Sequence, residues 1–514
     1  MSCQEEGVLA VGSGPFLHSL VEAWYESGLS KLTVFVTSPE PADTAELVKL
    51  REYALRSGPE ASLHILTAAQ DEDLKWRTII QPFSFILYVS RHGNMEELRK
   101  LQHACIAERK PMLPAVALQG RGMAGPLLHP GGDGRWDSAW RGLHASVFPE
   151  VREPHRFSAA AAAVLSNLIV HEWQKAVAEE KETDCINQCY ILDPNTLTGI
   201  WHPIRPHPLV SGVETACLVE NIELKLETSH EPVEPEEWFS CFNRLTSAAT
   251  GILHAWEEAD LIQLPLAQCL AQPVDPLSEG PAQLLPAIIR SGLTHEEARR
   301  EAGLAGLEAY AARLMPLLFP GLASSQREDI GIGAGCSIAE AVERGVRACL
   351  TTAWGKRMRM LPDKLAVTHI ACGQIEDVRC RYYLQALRIA EGEPQLAVGE
   401  PLLGCPVVWV HSGSSWYGSA DLDLTLALRQ SLQKALTKTE GVASSSVIWK
   451  AEKARDIAVS NSDPLKHESS MLAAVQRLKQ RHQRLEVFDM RSESFLGTGP
   501  FVIYGVRLGE EDSP

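Results

Sequence analysis

The chain has 514 residues, 45% of them hydrophobic and 22% charged, which is ordinary for a globular protein and too long for a single core. Its formal charge of −17 repels phosphate at long range and excludes nonspecific nucleic-acid binding as its main activity. No apolar run approaches the roughly 18 residues that span a bilayer, and MSCQEEGVLAVG lacks a secretory signal's basic-then-apolar order, so a cytoplasmic location is expected.

Taken in chain order, the first segment alternates strand and helix. Gly7–Val11 is a short apolar run, followed by Gly12-Ser13-Gly14 and a helical stretch through Tyr25. Strands are predicted at Lys31–Thr37, Ser62–Thr67, Phe83–Ser90 and Met112–Leu118, with helices at Thr44–Ser57 and Glu96–Glu108. Almost continuously apolar strands with crossover helices predict a parallel sheet covered on both faces. After a Gly/Pro-rich passage, Ser158–Glu182 reads as a long helix with strong intrinsic propensity.

Prolines and histidines punctuate Pro194–His207, and an acidic, proline-containing passage covers Glu231–Glu237; the domain boundary is expected within this stretch. Trp201–Pro208 reads as a rigid extended strap. Beyond it, Thr294–Met315 is a helix opened by a capping box, Thr294 with Glu297, and closed by Pro316. Gly331–Gly335 reads as a glycine-rich turn and Ser337–Ala353 as a second capped helix. Ala366–Ile370, Val407–His411, Leu485–Met490 and Phe501–Leu508 read as strands, and Asp423–Leu436 as a helix. Trp416-Tyr417-Gly418 falls in a Gly/Ser-rich stretch beside His411, where packing is favoured over an exposed binding loop.

Candidate chemistry is sparse. Gly12 and Gly14 stand where a strand hands over to a helix, a geometry that turns backbone N–H groups toward a phosphate. The dinucleotide fingerprint needs a third glycine where Leu17 stands, and the acidic ribose ligand is replaced by Val36, Thr37 and Ser38. A structural tight turn is the favoured reading, with residual nucleotide or peptide-end binding as the alternative. The 12 cysteines contain no CxxC pair, Cys185 and Cys189 being the nearest approach, and His202 and His207 find no obvious third ligand. No metal site is expected. Gly-x-Ser-x-Gly, Walker A and HExxH motifs are all absent.

Family resemblance adds to this reading. VLAVGSG, KLTVFV, FILYVS, MEELRKLQHACIAERKPMLPA and GRGMAGPLLHPG, within residues 7–140, resemble the adenylating fold of ThiF and the ubiquitin-activating enzymes. NLIVHEWQKAV and CYILDPNTLTGIWHPIRPHPL look like the segment that follows this fold in azoline-peptide maturation proteins. From about residue 240, NRLTSAATGIL, IQLPLAQCLA, SGLTHEEARREAGLAGLEAY and GIGAGCSIAEAVERGVRACL resemble YcaO motifs in order. The whole resembles the ocin-ThiF-like partner (F) proteins of thiazole- and oxazole-containing bacteriocin pathways.

The resemblance implies an α/β chain: a degenerate ThiF-like, Rossmann-type domain at 1–185, a connector at 186–238, and a diverged α+β YcaO-like domain at 239–514. Active YcaO enzymes hold ATP and magnesium with glutamates on two helices. Here the first helix keeps Glu308, with Ala311 and Ala312 in its partner's region, and the second reads Ala348–Trp354 where carboxylates are expected. No catalytic residue is assigned, and Gly12, Gly14 and Glu308 are remnant cofactor positions. Partner proteins of this family carry a leader-recognition domain ahead of the adenylating fold, which leaves that module encoded separately, absent or lost from the gene model.

The implied role is a noncatalytic partner that presents a precursor peptide to a separate ATP-dependent YcaO cyclodehydratase and activates it, alongside a flavin dehydrogenase. The competing expectations are an ATP- and magnesium-using enzyme with an atypical site, and a scaffold of the modification complex.

Overall fold

The computed structural model describes residues 7–38, 41–57, 60–67, 75–129, 135–148, 157–178, 185–227, 234–360, 365–443, 447–449, 455–461, 471–472, 474–476, 478 and 483–510. Two compact units emerge: Met1–Gly212 with Ala248–His254 and Val274–Leu284, and Val213–Ser247 with Ala255–Pro273 and Leu285–Pro514. No helix among the described residues is long and apolar enough to cross a membrane.

The first unit is built on one sheet. Its strands are β1 (Val8–Gly12), β2 (Lys31–Val36), β3 (Ser62–Thr67), β4 (Phe85–Ser90), β5 (Met112–Leu118), β6 (Arg121–Ala124), β7 (Gln188–Asp193) and β8 (Thr198–Pro203). They lie in the order β3-β2-β1-β4-β5-β6-β7-β8. The first five are mutually parallel and the last three antiparallel. The helices are α1 (Gly14–Glu26), α2 (Pro41–Ser57), α3 (Trp76–Ile80), α4 (Met95–Ala107), α5 (Trp136–Gly142) and α6 (Ala159–Val177).

Alternation along β1 explains why its run is wholly apolar. Val8 and Ala10 join Leu17, Leu20 and Trp24 of α1 and Leu165, Ile169 and Trp173 of α6 on one face. Leu9 and Val11 join Ile80, Leu98, Leu101 and Trp136 on the other. A strand buried on both faces has no place for a polar residue. The α/β expectation holds for this sheet.

The expected connector at 186–238 includes β7 and β8, which pair over six residues from Gln188↔Pro203 to Asp193↔Thr198 and extend the sheet. The prolines of Trp201–Pro208 begin only as that ladder ends, so Trp201 and His202 keep their strand pairing and the strap expected there starts later. α3, β6 and α5 were not predicted; each is short and lacks a clear periodic signal.

Within this unit, the segments Ala248–His254 and Val274–Leu284 fasten to residues 141–145. Arg141 Nη1 donates to the Ser278 carbonyl at 2.7 Å, and Ala145 N to the Ala282 carbonyl at 2.8 Å. His144, fully buried, places Nε2 2.8 Å from the Gly251 carbonyl and Nδ1 2.9 Å from His254 Nδ1. A carbonyl only accepts, so Nε2 must carry a proton to bond Gly251 and Nδ1 must carry one to bond Ala248, whose carbonyl lies 3.1 Å away; a neutral ring serves one of the two.

Burial holds the His144 ring down to about 4 from the usual 6.5, and burial lowers His207 to about 4 as well. Below about pH 6.5 the unfolded chain therefore binds more protons than the folded one, and stability falls until the folded rings titrate. Urea unfolding of the first unit should show a lower midpoint at about pH 5 than at about pH 7; equal midpoints would contradict the buried neutral rings.

The second unit includes α7 (Pro235–Leu245), the antiparallel pair β9 (Ala267–Pro273) and β10 (Ile288–Gly292), and α8 (His295–Arg313). It continues with β11 (Ile330–Gly335), α9 (Ile338–Arg359), β12 (Leu365–Ile375), α10 (Val378–Glu391), β13 (Gln395–Val398), β14 (Val407–Ser412), β15 (Ser415–Ala420) and α11 (Leu424–Thr437). β16 (Gln483–Asp489) and β17 (Val502–Glu510) follow. β11 pairs with β17 and β17 with β16, all antiparallel. A separate antiparallel run joins β12, β13, β14 and β15.

Gly331–Gly335 is not a turn but strand β11. Its glycines permit close approach of a helix: a Cβ on Gly333 would sit 2.0 Å from the Ala341 carbonyl, and one on Gly331 2.3 Å from the Gly345 carbonyl. Trp416-Tyr417-Gly418 is strand β15, with Trp416 and Tyr417 buried and Gly418 tight against the Trp409 ring. Pro316 does follow the end of α8, in the first turn of a separate helical turn, Met315–Leu318.

Candidate functional site

Two places bring candidate residues together, one in each unit. In the first, β1 ends at Gly12 and α1 starts at Gly14. Gly12 is required by close packing, since a Cβ there would lie 2.5 Å from the Val89 carbonyl. Gly14 adopts φ +66° with open space where a side chain would stand, and Pro15 sets the first helical turn. Leu17, at the third-glycine position, is fully buried in the core. At the end of β4, Arg91 donates to the Phe157 carbonyl at 3.0 Å and Ser90 Oγ accepts from Asn94 N at 3.2 Å. These groups hold loops together.

In the second unit the site forms between α8 and α9. Thr294 Oγ1 accepts from Glu297 N at 3.1 Å and fixes the start of α8, while Ser337 Oγ accepts from Glu340 N at 3.2 Å and fixes α9. Glu301 and Glu308, seven residues apart, fall on one face of α8, two turns from each other. The glycine stripe of β11 seats α9 without intervening side chains and thereby sets the height of Arg344 and Arg347.

Three arginines meet five carboxylates here. Arg344 Nη1 donates to Glu301 Oε2 at 2.5 Å, and its Nε and Nη2 donate to Glu308 at 2.5 and 3.2 Å. Glu308 also accepts from Ala334 N at 3.1 Å. Arg300 grips Glu340 with two bonds of 2.6 and 2.7 Å. Arg347 pairs with Glu343 at 2.7 Å and with Asp421 at 3.3 Å, and Asp421 also accepts from Gln430 Nε2 at 2.7 Å.

Desolvation raises the Glu301 carboxyl, but the Arg344 guanidinium outweighs it and brings the group to about 2. Burial raises the Asp421 carboxyl despite Arg347. All three arginines are held above their usual value by these acids, against the opposing effect of burial. Glu340, Glu343 and Asp421 are buried while the arginines, Glu301 and Glu308 are half-buried, and each charge in the array is opposed by another.

Glu308 is therefore an ion-pair partner, and the sequence reading missed Arg300, Glu301, Glu340, Glu343, Arg344, Arg347 and Asp421. The available signal was EAVERGVR, whose acids and arginines recur at helical spacing; Glu343 and Arg347 do pair at that spacing. The stretch Ala348–Trp354 continues α9 with Cys349, Leu350 and Trp354 buried. Among the described residues no three His, Cys, Asp or Glu side chains are grouped to hold a metal ion.

No protein-family model matches the sequence, and no curated protein does. Solved structures do. A heterocyclase in complex with substrate and cofactor aligns at a TM-score of 0.60 and 12% identity, covering 98% of this chain and 81% of that one. The heterocyclase TruD aligns at 0.53 and 13% identity, over 98% of this chain and 79% of its own. MccB of E. coli aligns at only 0.33 and 11% identity, over 40% of this chain and 67% of its own, too weak to carry an argument. At these identities the likeness is one of fold: nearly the whole chain follows the fold of the two heterocyclases.

Proposed function

We propose that this chain is a noncatalytic partner in the maturation of thiazole- or oxazole-containing peptides, presenting a precursor peptide to a separate ATP-dependent YcaO cyclodehydratase and activating it. The first unit is read as a degenerate ThiF-like fold, on the parallel order β3-β2-β1-β4-β5, and the second as a diverged YcaO-like domain. A flavin dehydrogenase is the expected further member of the assembly.

The observation that carries this reading is the Arg344 clamp. Magnesium takes hard oxygen ligands, and ATP brings further negative charge. On α8 the Glu301 and Glu308 carboxylates are both engaged by one guanidinium, Ala305 stands between them in sequence, and on α9 the next stretch offers Ala348, Thr351 and Thr352. Such a donor set does not suit a magnesium nucleotide. The fold is kept while its anionic oxygens serve packing, which fits a protein that positions a peptide for another catalyst.

The test is reconstitution with the cognate cyclodehydratase and precursor. Co-purification with the enzyme is expected, together with a rise in azoline formation on the order of a hundredfold, the cost of a misplaced substrate. Absence of both binding and stimulation would refute the reading.

A further inference from the structure

We infer that an open cavity beside α3 and α4 of the first unit is a docking site for a linear acidic segment of a peptide partner, held by an apolar anchor side chain and flanking carboxylates. The cavity has a volume of about 470 Å³, a size that a small ligand or a few side chains fill. The buried Trp76 and Ala104 form its floor, and Lys75, Arg77, Lys100 and His103, all exposed, stand around it. The floor is firm. Trp76 packs edge-on against Phe35 at 5.6 Å and, with Ile80, Leu101 and Ala104, belongs to the core on that face of the sheet.

Charge selects the occupant. The lining holds two lysines and an arginine with no acid, in a chain where 65 acids outnumber 48 lysines and arginines. At physiological salt, charges beyond about 8 Å are screened, so an acidic peptide meets this local excess of cations. Arg77 donates to Glu108 at 2.7 Å, and Lys100 pairs with Glu96 at 2.9 Å. Exposed pairs of this kind hold weakly, so a peptide carboxylate exchanges with either glutamate at little cost. An apolar floor inside a cationic rim suits an acidic segment with a leucine-like anchor, the usual division between a buried centre and a polar surround. α3 runs into β4 and α4 into β5, and these strands are parallel to β1. The cavity therefore lies toward the strand starts, away from the Gly12–Gly14 turn at a strand end.

The inference does not depend on the partner role, because peptide binding alone reads it. The probe is a fluorescein-labelled synthetic peptide of glutamates around two central leucines, titrated with the full-length chain and followed by fluorescence anisotropy. Binding with a Kd below about 100 μM is expected. Lys75→Glu with Lys100→Glu should weaken it at least about tenfold, and exchanging the peptide's leucines for serine should do the same. Glu96→Gln with Glu108→Gln releases Lys100 and Arg77 and should tighten it about threefold; this gain keeps the test decisive where charge reversal disturbs the fold. Asp71, Glu72 and Asp73 precede the cavity in the sequence and are the competing occupant. Binding that emerges only when all three are changed to serine would assign the cavity to the chain's own acids and overturn the inference. No binding by about 1 mM, or binding indifferent to any one of the other three changes, would overturn it as well.

Discussion

Replacing Arg347 by alanine should cost the second unit about 3–5 kcal/mol, read as a fall in the urea midpoint with little change in slope. The side chains of Glu343 and Asp421 are almost wholly buried, and Arg347 is the cation that both contact. Its loss leaves two carboxylates close together in a poor solvent for charge. Burial already raises the Asp421 carboxyl with Arg347 present, so without it Asp421 should take up a proton more readily. The penalty should then shrink as the pH is lowered, whereas a simple packing defect would give a penalty independent of pH. A loss under about 1 kcal/mol would place Arg347 among surface pairs of little consequence.

Gly333→Ala should be comparably damaging, by about 3 kcal/mol or more, although it adds a single carbon. Overpacking in a well-filled core typically costs about 1–3 kcal/mol, and more where nothing can yield. The new Cβ would lie 2.0 Å from the Ala341 carbonyl and 2.3 Å from Gly345 N, both backbone atoms of α9, so no change of rotamer relieves the clash. The helix must lift off the strand, and Arg344 and Arg347 would lose register with α8. Gly321→Ala is the control: its Cβ would meet nothing within 4 Å, and thermal or urea unfolding should show a change within about 0.5 kcal/mol. Equal effects at the two positions would remove the close-approach account of the glycine stripe.

Much of the first unit was legible because its strands are apolar on both faces, as at Val8–Val11 and Phe85–Val89, and because α1 and α6 bury recurrent large residues such as Trp24 and Trp173. The caps at Thr294 and Ser337 were readable for a local reason, each side chain bonding an amide three residues on, and Ser158 and Asp423 make the same bond. Where the reading failed, the deciding contact was remote. Glycine at 331, 333 and 335 signals a turn only until a helix lies against it, and the prolines after Trp201 obscured the strand before them. The candidate site was the least legible part. Glu301 and Arg344 are 43 residues apart, and only the packing of α9 on β11 brings them together. From sequence, Glu308 stood out as a remnant carboxylate, while Arg344, within GIGAGCSIAEAVERGVRACL, was not singled out.

In the proposed role the chain assists a separate catalyst and does not turn over nucleotide itself. The most direct measurement is phosphate release by the purified full-length chain with ATP, magnesium and precursor peptide, alone and then with a separate cyclodehydratase. No release above buffer is expected from the chain alone, and release together with azoline formation is expected on adding the enzyme. Turnover by the chain alone, lost in a folded Glu308→Gln variant, would contradict it.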